Sequence, residues 1–79
     1  MAIPNAPSRT FTVHAADDGR HAHRVEGVSF EDAALSFIEH WRPPADADGE
    51  ISVIVLDDAD GREQCYRVDV GTGETRPCA

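Results

Sequence analysis

A single amphipathic helix is the feature that most constrains the fold of this chain. Its apolar side chains recur at helical spacing and form one stripe: Phe30, Ala33, Ala34, Phe37, Ile38 and Trp41. Ser29 is placed to cap the N-terminus, and Asp32 three residues later gives a variant of the capping box. Pro43 ends the helix, because the residue before a proline is pushed out of the helical region. Such a stripe must be covered by another layer, and we expect Trp41 to be a core anchor in that contact.

Alternation of apolar and polar residues predicts two β-hairpins around this helix. Residues 9–16 and 20–26 flank a three-residue loop in which Gly19 would be left-handed. This loop pairs Phe11 with Val25 and Val13 with His23, which places the apolar side chains of both strands on one face. Residues 51–56 are almost continuously apolar, and residues 63–70 alternate again after an acidic turn.

The order of elements is therefore β-β-α-β-β. It predicts an α+β domain, a four-stranded and mainly antiparallel sheet with one helix packed on one face, and a short fifth strand is possible at the C-terminus. One arrangement puts strands 1 and 4 side by side in the centre, which resembles the β-grasp layout of immunoglobulin-binding bacterial domains in element order. We expect residues 1–8 to be a flexible tail and residues 9–79 to be one domain, since 79 residues leave no room for a second core.

The charge of the chain limits its partners. Fifteen acidic residues against seven basic ones give a formal net charge of −8, which repels phosphate backbones and anionic membranes. We therefore expect no nucleic acid and no membrane among its partners. No segment approaches the roughly 18 apolar residues of a membrane helix. The N-terminus lacks the basic and apolar regions of a leader, so a cytoplasmic, reduced protein is expected, with Cys65 and Cys78 as free thiols.

Two histidines are the best candidates for a metal site. His21 and His23 alternate along a predicted strand, so their imidazoles could share a face. A catalytic zinc typically needs three protein ligands, whereas His14 points to the other face and His40 lies on the helix. We therefore expect no metal and no cofactor. A small metal- or ligand-binding protein that uses His21 and His23 remains the alternative function.

No residue pattern indicates catalysis. Cys65 has acidic neighbours, which disfavour a nucleophilic thiolate. The paired carboxylates lie in turns, where no surrounding wall would shift a pKa. We expect the protein not to be an enzyme, and no catalytic residue is assigned.

The apolar strand at residues 51–56 carries the leading functional hypothesis. Ile54 and Leu56 are predicted to meet the helix, which leaves the other face of this strand without a cover. An uncovered apolar patch marks a partner surface. We therefore predict a small, non-enzymatic protein-interaction module that forms a homodimer or binds a protein partner. Its predicted interaction surface consists of Ile51, Val53, Val55 and Cys65.

Overall fold

Five strands and one helix make up the regular structure of residues 8–78, the part of the chain that the computed structural model describes. The elements are β1 Arg9–Ala15, β2 His23–Gly27, α1 Phe30–Trp41, β3 Glu50–Asp57, β4 Glu63–Asp69 and β5 Thr75–Pro77. All neighbouring strands are antiparallel, and α1 packs on the sheet. The predicted α+β class and the fifth strand are confirmed. The predicted tail lies outside the described residues except for its last position.

The strand order is β2-β1-β3-β4-β5, so the predicted central pairing of the first and fourth strands is wrong. β1 pairs instead with β3, with Val13 opposite Val55. A pairing of the first and fourth strands would have been parallel, and parallel ladders are slightly less stable per residue than antiparallel ones. The chain crosses from β2 to β3 through α1, which places both strands beside β1 and leaves β4 free to pair with β5.

The first hairpin has the predicted register but a different loop. Phe11 lies opposite Val25 and Val13 opposite His23, as expected. The ladder ends earlier than predicted, at Val13 opposite His23, and Ala16 N–H donates instead to Ser52 O of β3 at 2.8 Å. Gly19 is not left-handed, since the glycines with positive φ in residues 8–78 are at positions 49, 61 and 73. The loop therefore spans residues 16–22 and contains two turns, in which Asp18 N–H donates to Ala15 O and His21 N–H donates to Asp18 O.

The helix begins and ends where its sequence indicated. The backbone N–H of Asp32 donates to the Ser29 hydroxyl at 3.1 Å, and the Asp32 carboxylate accepts from Val28 N–H at 2.9 Å. A Cβ at position 27 would lie 2.8 Å from the Asp32 carboxylate, so this close approach requires Gly27. At the other end Arg42 is left-handed, and its N–H donates to Ile38 O. Within residues 8–78 no helix is long and apolar enough to cross a membrane.

The two faces of β3 are the reverse of the predicted ones. Ile51, Val53 and Val55 are buried under α1, whereas Ile54 and Leu56 are half-buried on the opposite side. Pairing with β1 and β4 explains this outcome, because the core side chains of those strands align with the odd-numbered positions of β3. The buried core comprises Phe11, Val13, Val25, Ala33, Ala34, Phe37, Ile51, Val53, Val55 and Tyr66. The predicted interaction surface is therefore wrong for its three β3 residues, which are core.

Val53→Asp should unfold the protein and Ile54→Asp should not, although the two residues are adjacent. Val53 is fully buried, so a carboxylate there would be desolvated without a partner and cost at least about 4 kcal/mol. That is comparable with the whole stability of a small domain. Ile54→Asp should retain the fold, since its side chain points away from α1. Circular dichroism and urea unfolding of both variants provide the measurement, and a folded Val53→Asp protein would contradict the face assignment.

Candidate interaction surfaces

The sheet has an open face, which we define as the side opposite α1. Its centre is apolar: Ile54 and Leu56 of β3 are half-buried there. Ile54 lies opposite His14 of β1 on one side and opposite Cys65 of β4 on the other. Cys65 is thus the one residue of the predicted interaction surface that lies on the open face, beside different β3 residues from those expected.

Cys65 and Cys78 form a disulfide, so the prediction of two free thiols is wrong. Their Cα atoms are 5.3 Å apart, and the N–H of Cys78 donates to Cys65 O at 3.0 Å. The bond attaches the end of the chain beyond β5 to the middle of β4. The sequence alone does not indicate this bond, because positions 65 and 78 come opposite each other only in the register that pairs Tyr66 with Pro77.

An ion-pair network borders the apolar centre on one side. Arg67 donates to Glu50 at 2.8 Å, to the Ser52 hydroxyl at 2.9 Å and to Asp46 at 2.9 Å. Arg76 of β5 pairs with the second oxygen of Glu50 at 2.8 Å. The network joins three strands to the connector that follows α1, and it satisfies both Glu50 oxygens.

These contacts shift the pKa values of the acidic members. Hydrogen bonds from Arg76 and then Arg67 hold the pKa of Glu50 below its usual range. For Asp46 the largest effect is the hydrogen bond from the Glu50 backbone N–H, which lowers the pKa of the carboxyl, and Arg67 adds to it. The pKa of Arg67 is raised by its bonds to Glu50 and Asp46. Each of these pKa shifts favours the charged form of its group.

The two candidate metal-binding histidines have separate surroundings. His21 lies in the loop after β1, where Nδ1 bonds the Asp18 carboxylate at 2.8 Å. His23 begins β2 and stacks on the Trp41 ring, with centroids 4.2 Å apart. Within residues 8–78 no group of three histidine, cysteine, aspartate or glutamate side chains is arranged to hold a metal ion.

Trp41 is not the core anchor that its place in the stripe predicted. It is 44% exposed, because it is the last residue of α1 and its ring rests on His23 in the outermost strand instead of between the two layers. Beside it, a groove of about 180 Å³ runs between β2 and α1. The residues that line the groove are Arg24, Val25, Glu26, Ser36, His40 and Trp41. The groove could not be predicted from the sequence, because the helical stripe placed Trp41 in the core.

Glu50→Gln should make the free energy of unfolding less sensitive to acid than it is in the wild type. The folded-state pKa of Glu50 lies below the ordinary value of 4.5, so the unfolded chain takes up its proton first as the pH falls. The contribution of Glu50 is therefore fully present above pH 4.5 and is lost as the pH falls through the lower folded-state pKa. Urea unfolding of the wild type and the variant from about pH 6 to about pH 2.5 measures the effect.

Glu63→Gln is the matched control, because Glu63 is an exposed β4 residue that forms no ion pair within residues 8–78. At neutral pH Glu50→Gln should be less stable than Glu63→Gln, and the two should converge in acid. Parallel curves for both variants would contradict a stabilising role for the network.

Reduction of the disulfide should destabilise the protein. The bond closes a loop with a sequence separation of 13, for which the chain-entropy relation gives about 3 kcal/mol. Denaturant unfolding with and without a thiol reductant measures this difference. The Cys65→Ser/Cys78→Ser double variant should match the reduced protein and be insensitive to reductant. An oxidised and a reduced wild type of equal stability would contradict the expectation.

Comparison with known proteins identifies one matching family model. The model of a family of unknown function, DUF5961, matches residues 9–79, which includes every strand and the helix. No curated protein matches the chain. No solved structure matches it either.

Proposed function

The chain belongs to the DUF5961 family, and we propose that it is a small, non-enzymatic protein-interaction module that binds a protein partner through the open face of its sheet. The observation that carries this proposal is the arrangement of that face. Ile54, Leu56 and the Cys65–Cys78 disulfide form an apolar centre, and charged groups border it. An apolar centre within a polar rim is the usual anatomy of a protein interface.

The charge of the module indicates the kind of partner. The net charge of −8 attracts and steers a basic surface toward the module. The two arginines of the rim, Arg67 and Arg76, are already engaged by Asp46 and Glu50. They offer little to an acidic partner, because a new contact would have to replace these bonds. We therefore propose a partner with a basic rim around an apolar patch.

A non-enzymatic role is supported by the contacts of the groups that usually perform catalysis. The Nδ1 atoms of His14 and His40 donate to the backbone carbonyls of Ala15 and Ser36. His21 is held by Asp18. Both cysteine sulfurs are used in the disulfide, so neither is present as a thiolate nucleophile.

The alternative function as a metal- or ligand-binding protein has less support. His23 stacks on the Trp41 ring, and His21 is hydrogen-bonded to the Asp18 carboxylate in the loop after β1. Binding of a metal by both histidines would require the loop after β1 to rearrange and a further ligand to be recruited.

The disulfide bears on the compartment in which the module works. Structural disulfides persist in oxidising compartments and are rare in the cytosol, where thiol pools keep cysteines reduced. We propose the cytoplasmic location that the sequence favoured. There Cys65 and Cys78 would be reduced, and their two thiols would take the place of the disulfide beside Ile54 and Leu56 in the apolar centre. Alkylation of the thiols in intact cells before extraction determines which form is present.

Leu56→Asp should abolish partner binding without unfolding the chain. Leu56 is on the open face, so a carboxylate there would place a charge in the apolar centre of the proposed interface. Leu35→Asp is the matched control, since Leu35 is 39% exposed on α1, on the other side of the molecule. Proteins cross-linked to the immobilised wild type should also be recovered with Leu35→Asp, and their recovery with Leu56→Asp should fall at least about tenfold. Equal recovery with both variants would contradict the open face as the binding surface.

A further inference from the structure

The outer edge of β2 is a free strand edge within residues 8–78. The sheet ends there, and no described strand pairs with that side of His23–Gly27. At the opposite end of the sheet β5 is only three residues long and ends in Pro77, which makes it a poor template for a further strand. β2 has five residues and no proline, and its middle lines the groove against α1. Of the two edges, β2 is therefore the one suited to sheet extension.

We propose that β2 pairs antiparallel with β2 of a second copy of this chain, with Val25 of the two copies directly opposite each other. This register places Arg24 opposite Glu26 of the second copy, and by symmetry it does so twice. Opposite charges directly across a ladder stabilise the pairing. Both side chains are exposed and lie on the open face, since Val25 between them is buried under α1. The contact is a two-fold one, in which the same strand meets itself.

The charge pattern also excludes the neighbouring registers. A shift that preserves the faces places either Arg24 opposite Arg24 or Glu26 opposite Glu26, and like charges directly opposite are destabilising. A slip by one residue brings Val25 opposite Arg24 and mixes the two faces of the sheet. Arg24 is free to change partner, because its side chain is 81% exposed and its contact with Asp58 is long, at 3.7 Å.

Exposed apolar side chains lie at both ends of this ladder. Trp41 stacks on His23, which would be opposite Gly27 of the second copy. Val28 follows Gly27 and is 52% exposed. The proposed register thus brings Trp41 of one copy to the end of the ladder where Val28 of the other lies. Trp41 and Val28 would both lie in the dimer contact. They are two of the four exposed large hydrophobic residues within residues 8–78, the others being Leu35 and Val70.

A charge exchange tests the proposal. Arg24→Glu and Glu26→Arg should each weaken the dimer at least about tenfold, because each turns two attractive pairs into two repulsive ones. An equimolar mixture of the two variants should form a heterodimer with opposite charges restored at every pair, and the Arg24→Glu/Glu26→Arg double variant should dimerise like the wild type. Arg62→Glu, in the loop between β3 and β4, is the control for the change in net charge. Sedimentation equilibrium up to about 500 µM is the measurement, with circular dichroism to verify folding.

Hydrogen exchange supplies a second measurement that needs no variant. The outward-facing amides of residues 23–27 should gain protection as the wild-type concentration rises, while those of β5 should not. A wild type that stays monomeric, or a dimer that ignores the charge exchange, would overturn the proposal. Leu56→Asp should leave the dimer intact, so the dimer and the open-face binding site can fail separately.

Discussion

The antiparallel pairing of β1 with β3 is the contact on which the rest of the structure depends. It places Phe11 and Val13 in the same layer as Val53 and Val55, and all four side chains are fully buried under α1. Because β1 and β3 occupy each other's inner edges, β2 pairs with the outer edge of β1 and β4 with the outer edge of β3. Even the one buried charge among the described residues belongs to this contact, because Asp57 lies opposite Phe11 and pairs with Arg9 at 3.1 Å. A buried carboxylate requires such a partner, so the end of β3 is fixed to the start of β1.

The accuracy of the sequence-based prediction differed among elements for physical reasons. The helix could be predicted because its signals are local: Ser29 caps it and Pro43 follows it. The register of the first hairpin could be predicted because a slip would expose Val25. The faces of β3 could not, since five of the six residues from 51 to 56 are apolar and a strand of this kind fits either way. Ser52 was the one polar marker, and its hydroxyl accepts from Arg67 on the open face, which a sequence does not reveal without the partner strand.

The predicted interaction surface was wrong because the faces of β3 were reversed. The two surfaces proposed instead, the open face and the β2 edge, depend on contacts between residues distant in sequence. Which strand is an edge follows from strand order, and strand order depends on contacts distant in sequence. The pairing of Cys65 with Cys78 depends on the register of a three-residue strand, for which composition is a weak guide. Trp41 has the spacing of a core residue, but a helix stripe extends beyond the layer that covers it when the helix ends over the outermost strand.

Most arginines of this acidic chain lie within ion-pair distance of its own carboxylates. Within residues 8–78, five of the seven arginines form ion pairs, at positions 9, 24, 62, 67 and 76, and two of them, Arg67 and Arg76, hold the β3–β4–β5 side of the open face together. The field that remains outside is negative, which favours a basic partner and opposes the approach of a second acidic copy. A homodimer therefore needs a contact that is locally neutral. β2 supplies one, because Arg24 and Glu26 balance each other, and two-fold pairing there would place both open faces on the same side of one continuous ten-stranded sheet.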